Sequence, residues 1–137
     1  MARILAIDYG TKRVGLAVTD PLQIIANTLT TVHSKDVLQY LKDYLMKEEV
    51  ECFVVGKPLR LDGTNSELAA EVEKFINVLR KNFPAIPIER IDERFTSAIA
   101  KRTLLEMGLN KKDRANKSSL DQISATIILQ GYLEKKC

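Results

Sequence analysis

The chain has 137 residues, a net charge of +3, 45% hydrophobic and 28% charged residues. This composition suits one packed core in one domain over residues 1–137 and excludes a disordered chain. No apolar run approaches a membrane span, and Cys52 and Cys137 lie too far apart for a metal-binding pair or a disulfide framework.

The sequence pI of about 8.9 is compatible with a nucleic-acid partner without requiring one. Met1-Ala2-Arg3 and the few apolar residues after it make too short a segment for a signal peptide, so a soluble, cytoplasmic protein is expected.

Ile4 to Ile7 is a short apolar run, the mark of a strand buried on both faces, and it ends in Asp8. Gly10 then marks a tight turn. Val14, Leu16 and Val18 alternate with Arg13, Gly15, Ala17 and Thr19, which predicts a second strand with two unlike faces and an antiparallel hairpin with the first. Asp20-Pro21 marks a turn, and the β-branched stretch from Thr28 to Val32 predicts a third strand.

Ser34 fits a helix N-cap, with Asp36 in the first turn. Val37, Leu38, Leu41, Tyr44 and Leu45 recur at helical spacing up to about Lys47. Cys52 to Val55 is a fourth strand, stopped by Gly56-Lys57-Pro58. Thr64 and Glu67 have capping-box spacing, and Leu68, Val72, Phe75, Ile76 and Leu79 form the stripe of a second helix ended by Pro84. Ile86 to Ile91 predicts a fifth strand that runs into Asp92-Glu93-Arg94. Thr96 can cap a further helix closed by Gly108, and Ser118 or Ser119 can cap a last helix reaching about Leu133.

This order, a β-meander followed by alternating helices and strands, predicts an α/β fold: a five-stranded mixed sheet flanked by helices. Sites in such sheets gather at the carboxyl ends of parallel strands, where Asp8, Gly56 and Asp92-Glu93 fall. A buried strand has little use for a charge at its tip unless the tip opens onto a site, although Asp also starts turns. In the last helix Asp121, Ala125, Ile128 and Tyr132 share one stripe, and Leu120, Ile123 and Ile127 make a second. That helix must be largely buried, so Asp121 needs a partner, a proton or a metal, unless it serves only the helix dipole. Asp92 and Glu93 point to opposite sides on an extended backbone, so one of them is expected to join Asp8; the alternative is a salt bridge to Arg90 or Arg94.

Three acids at the ends of different elements, with Lys and Arg beside them, suit a hard cation such as magnesium or manganese and phosphodiester cleavage. The loop Gly56-Lys57-Pro58-Leu59 lacks a P-loop ending, and as a phosphate cradle it competes with a plain turn. Lys111, Lys112, Arg114 and Lys117 read either as a solvated loop or as a contact to nucleic-acid backbone. His33, the one histidine, is expected to be structural or exposed.

Four motifs together carry a family resemblance over essentially the whole chain. They are Asp8-Tyr9-Gly10-Thr11-Lys12-Arg13-Val14-Gly15; Gly56-Lys57-Pro58-Leu59 with Asp62-Gly63-Thr64; Asp92-Glu93-Arg94-Phe95-Thr96; and Asp121-Gln122-Ile123-Ser124-Ala125. The chain closely resembles the YqgF/RuvX family of the ribonuclease H-like superfamily. The resemblance implies a ribonuclease H-like fold and a metal-dependent nuclease that processes the 5′ end of the small-subunit (16S) ribosomal RNA precursor. The older family proposal is Holliday-junction resolution. It further implies that Asp8, Glu93 and Asp121 are the catalytic acids and hold Mg2+ or Mn2+. Phosphates would then be held by Lys12, Arg13, Lys57, Arg94 and the basic loop of Lys111, Lys112, Arg114 and Lys117. The expected partner is structured nucleic acid, either pre-rRNA or branched DNA, with no membrane.

Two departures stand out: Lys57 and Ser124 replace residues expected to be apolar and alanine. The second acid follows the fifth strand, whereas RuvC-type resolvases carry one after the fourth, which weighs against junction resolution. Two further readings are a nucleic-acid-binding module that does not cut and a sugar-kinase or actin-like phosphotransferase. The latter needs a second domain that 137 residues do not supply.

Overall fold

The computed structural model describes residues 2–10, 12–57, 67–92 and 117–136. In chain order they form β1 (Arg3–Tyr9), β2 (Arg13–Thr19), β3 (Ala26–His33), α1 (Val37–Lys47), β4 (Val50–Lys57), α2 (Glu67–Asn82), β5 (Ile88–Asp92) and α3 (Lys117–Lys136). The five strands make one sheet in the order β3-β2-β1-β4-β5. β1 pairs antiparallel with β2 and parallel with β4; β2 pairs antiparallel with β3, and β4 parallel with β5. The mixed sheet expected from the order of elements is therefore present, with β1 at its centre.

The period-two alternation of β1 divides the core. Leu5 and Ile7 face α1 and α2, where Phe53, Val55, Leu41, Val72, Ile76 and Leu79 surround them. Ile4 and Ala6 face the other way, onto Ala125, Ile128 and Leu129 of α3. β1 is thus covered on both sides, as its continuous apolar run required. Thr19 and Thr126 are the buried polar residues among those described; Thr19 Oγ1 accepts a hydrogen bond from the Ile4 N–H at 2.9 Å, so neither of those two groups is orphaned.

β2 departs from its expected pattern. It is buried on both faces apart from Arg13. Ala17 is fully buried in the core cluster that α3 completes, and Gly15 is buried on the same face. Alternation of large and small apolar residues therefore marks a covered face here, where alternation of apolar and polar would have marked a solvated one. A substitution Ala17→Leu tests this packing. The fully buried Ala17 stands across from Ala6 beneath α3, and overpacking such a site costs about 1–3 kcal/mol. Thermal unfolding should show that loss, and cleavage measured well below Tm should fall further, because α3 is pushed off the sheet.

The start of α1 differs in detail. Its N-cap is Asp36, not Ser34, and no side-chain capping bond is made there. The preceding turn is closed instead by the Asp36 N–H donating to the His33 carbonyl and the Lys35 N–H donating to His33 Nδ1. α3 already includes both Ser118 and Ser119, so neither is its cap. The Thr64 capping pattern and the helix expected after Thr96 lie outside the described residues. After β2, the Asp20 carboxylate accepts hydrogen bonds from the N–H groups of Leu22, Ile24 and Ile25, which hold its pKa below the usual carboxylate range.

A candidate acidic site at the carboxyl end of the sheet

Asp8 is the second-last residue of the central strand, half-buried, on the side of β1 that carries Ile4 and Ala6. The residue directly across from it on β2 is Gly15, so no side chain stands opposite. Tyr9 points to the other face and stacks on Phe75 of α2 with ring centroids 4.6 Å apart. Burial, with Glu71 nearby, raises the Tyr9 pKa. That aromatic contact anchors the strand tip from behind.

The turn after Asp8 is tight. A Cβ on Gly10 would stand 2.6 Å from the Arg13 carbonyl oxygen, closer than real side chains approach backbone. Gly10→Ala should therefore open the turn and disturb Asp8, two residues away. Lys12 and Arg13 follow, both exposed at this rim.

α3 lies across the face of the sheet that carries Ile4 and Ala6. Its Tyr132 packs against the core cluster that contains Cys52, and Cys52 is the register partner of Ile4 at the amino end of β1. Burial first, with Cys52 beside it, pushes the Tyr132 pKa up to about 12. From Ile4 to Asp8 the strand advances about 13 Å. From Tyr132 back to position 121 the helix advances about 16 Å. Ala125 and Ile128 pack on the face of the sheet that carries Ile4 and Ala6.

Gly56 and Lys57 end β4, and Lys57 is in register with Asp92, the last residue of β5. β5 is two strands from β1, so Asp92 and Asp8 stand about 10 Å apart across the sheet. Arg90, one alternative partner for the acids beyond β5, is bound elsewhere: its Nη1 donates to Glu73 of α2 at 2.6 Å. Glu93, Arg94, Lys111, Lys112 and Arg114 lie outside the described residues, and Lys117 is the first residue of α3.

Asp8 is the one member of the three-acid set whose side chain is described, and among the described residues no three potential ligands gather around a metal. Carboxylate oxygens such as those of Asp8 suit a hard divalent cation. His33 and Lys35 were not among the residues expected here. They stand on the same rim, exposed, with Arg13 and His33 in direct register. The pairing of residues 12–13 with residues 33–35 arises from sheet register, which no local sequence signal reveals.

No helix of the described residues is long and apolar enough to cross a membrane.

Known proteins converge on this architecture. A family model described as "RuvX: Holliday junction resolvase" matches residues 2–135. A Bacteroides thetaiotaomicron protein named "Putative pre-16S rRNA nuclease" is 54% identical over 99% of both chains. A Phocaeicola vulgatus protein of the same name is 55% identical over 99% of this chain and 98% of its own. Among solved structures, T. thermophilus RuvC in complex with a Holliday junction substrate superposes with a TM-score of 0.60. That match covers 98% of this chain and 96% of RuvC at 18% identity, which establishes a shared ribonuclease H-like fold. With a family match across nearly the whole chain and relatives above half identity, this chain belongs to the RuvX family of nucleases.

Proposed function

We propose that the chain is a divalent-metal-dependent endonuclease that processes the 5′ end of the 16S rRNA precursor. The observation that supports it most is Asp8, a half-buried carboxylate at the tip of the buried central strand, on the face that α3 covers. Carboxylate oxygens at such a tip suit a hard divalent cation. The names of the full-length relatives point to the rRNA substrate.

In this reading Asp8, Glu93 and Asp121 hold Mg2+ or Mn2+. When bound, the cation lowers the pKa of water and stabilises the oxygen that leaves phosphorus. The chain's own residues do the rest. Asp8 orients from a strand fixed by Tyr9 and Phe75. Lys12, Arg13, Lys57 and Arg94 bind phosphates on either side, and Lys111, Lys112, Arg114 and Lys117 add a basic approach. Without the cation the acids would repel the backbone they must approach.

The RuvC-like fold and the family description give a second reading, resolution of branched DNA. Cleavage of a precursor 16S leader and of a four-way DNA junction, each with magnesium and with chelator, separates the readings. Magnesium-dependent cutting of the RNA alone is expected, with chelator abolishing it. Cutting of the junction alone would transfer the function to DNA. Tight, salt-sensitive binding with no cutting of either would leave a binding module.

A further inference from the structure

Resting on that nucleic-acid reading, we infer that His33 and Lys35 form, with Lys12 and Arg13, a subsite for backbone phosphates flanking the scissile bond. It lies on the β2–β3 side of Asp8. Residues 12–13 leave the β1–β2 turn and residues 33–35 leave β3, yet they form one corner. Arg13 and His33 are register partners, and the Ser34 N–H donates to the Lys12 carbonyl at 3.1 Å. The backbone of the corner is thus fixed before any ligand arrives.

Its four basic side chains are all exposed on the rim that carries Asp8. Asp36 is the one acid among residues 33–36. His33 Nδ1 accepts the Lys35 N–H at 3.0 Å. That bond occupies the Nδ1 lone pair, so in the neutral ring the proton sits on Nε2, a donor available to an anion. Lys35 and Lys12 supply point charges and Arg13 a planar fork, a mixture suited to successive phosphodiesters. β3 stands two strands, about 10 Å, from β1. The corner therefore contacts flanking phosphates, not the reacting one, and directs the chain of nucleotides across β2 and β3 toward the start of α1.

The test is binding of a single-stranded 16S leader RNA to the full chain, in chelator, across a range of salt concentrations. Lys35→Gln should reduce the slope of log K against log salt by about 0.7, the value of one single-strand phosphate contact. His33→Ala should weaken binding several-fold, because a ring N–H donor to phosphate is lost. A control variant, Lys47→Gln with Lys81→Gln, removes two charges in the last turns of α1 and α2, at the far end of the sheet. It should leave the slope as in the wild type. An unchanged slope in Lys35→Gln, or an equal loss in the control, overturns the subsite. Failure of the wild type to bind the RNA both in chelator and, as a non-cleavable RNA, with magnesium overturns the functional reading itself, so the two failures are distinct.

Discussion

An Asp8→Asn variant is expected to cut the leader RNA on the order of 10^3-fold more slowly than the wild type while binding it at least as tightly. Losing a metal ligand removes several kcal/mol of transition-state stabilisation, and each 1.36 kcal/mol is a factor of ten in rate. The substitution keeps the shape of the side chain and removes its charge. Asp8 is half-buried at a strand tip, with glycine across from it, so the fold should tolerate the amide. RNA affinity in chelator should hold or rise, because a negative charge near the phosphates is gone. Single-turnover cleavage and salt-dependent binding, run on the same preparation, check both halves. Full activity in this variant would remove Asp8 from the chemistry and reduce its role to starting the turn.

The largest loss of stability is expected at Phe53. It is fully buried in β4, sits among Leu5, Ile7, Ile76 and Leu79, and meets Phe83 edge-on with centroids 5.6 Å apart. Phe53→Ala leaves a large cavity beneath α2 and should cost about 3–5 kcal/mol. That is a substantial share of the 5–15 kcal/mol typical of a folded domain. Urea unfolding should show the midpoint falling with an unchanged m-value. Met46, 86% exposed on α1, provides the contrast: Met46→Ala should change stability by less than about 0.5 kcal/mol. A Phe53 variant as stable as the wild type would mean that the α1–α2 face contributes little to the core.

Much of this architecture is legible in the sequence because period and punctuation agree. The apolar run of β1, the glycine at its turn, the stripes of α1 and α2 and the all-round apolar character of α3 each point to one element type. Together they order the sheet with β1 inside. Asp8 also stands out, because a charge at the end of such a run conflicts with burial. What local patterns miss is set by tertiary contact. The smallness of Gly15 and Ala17 looks like a lighter face until α3 is seen to cover it. Ser34 has the chemistry of a cap, but the His33 turn places α1 two residues later, at Asp36. The corner of Lys12, Arg13, His33 and Lys35 exists only through strand register, since about 20 residues separate its halves in the chain. Asp8 and Asp121 are more than a hundred positions apart, and no local pattern relates them.

The central claim is that Asp8 and Asp121 serve one metal. Manganese binding to the full chain, followed by electron paramagnetic resonance with a non-cleavable leader RNA bound, tests it most directly. Wild-type protein should deplete the free-ion signal. Asp8→Asn and Asp121→Asn should each restore most of it, and the double variant should add little beyond either single change. Manganese binding that survives both substitutions unchanged would contradict the claim and place any metal elsewhere in the chain.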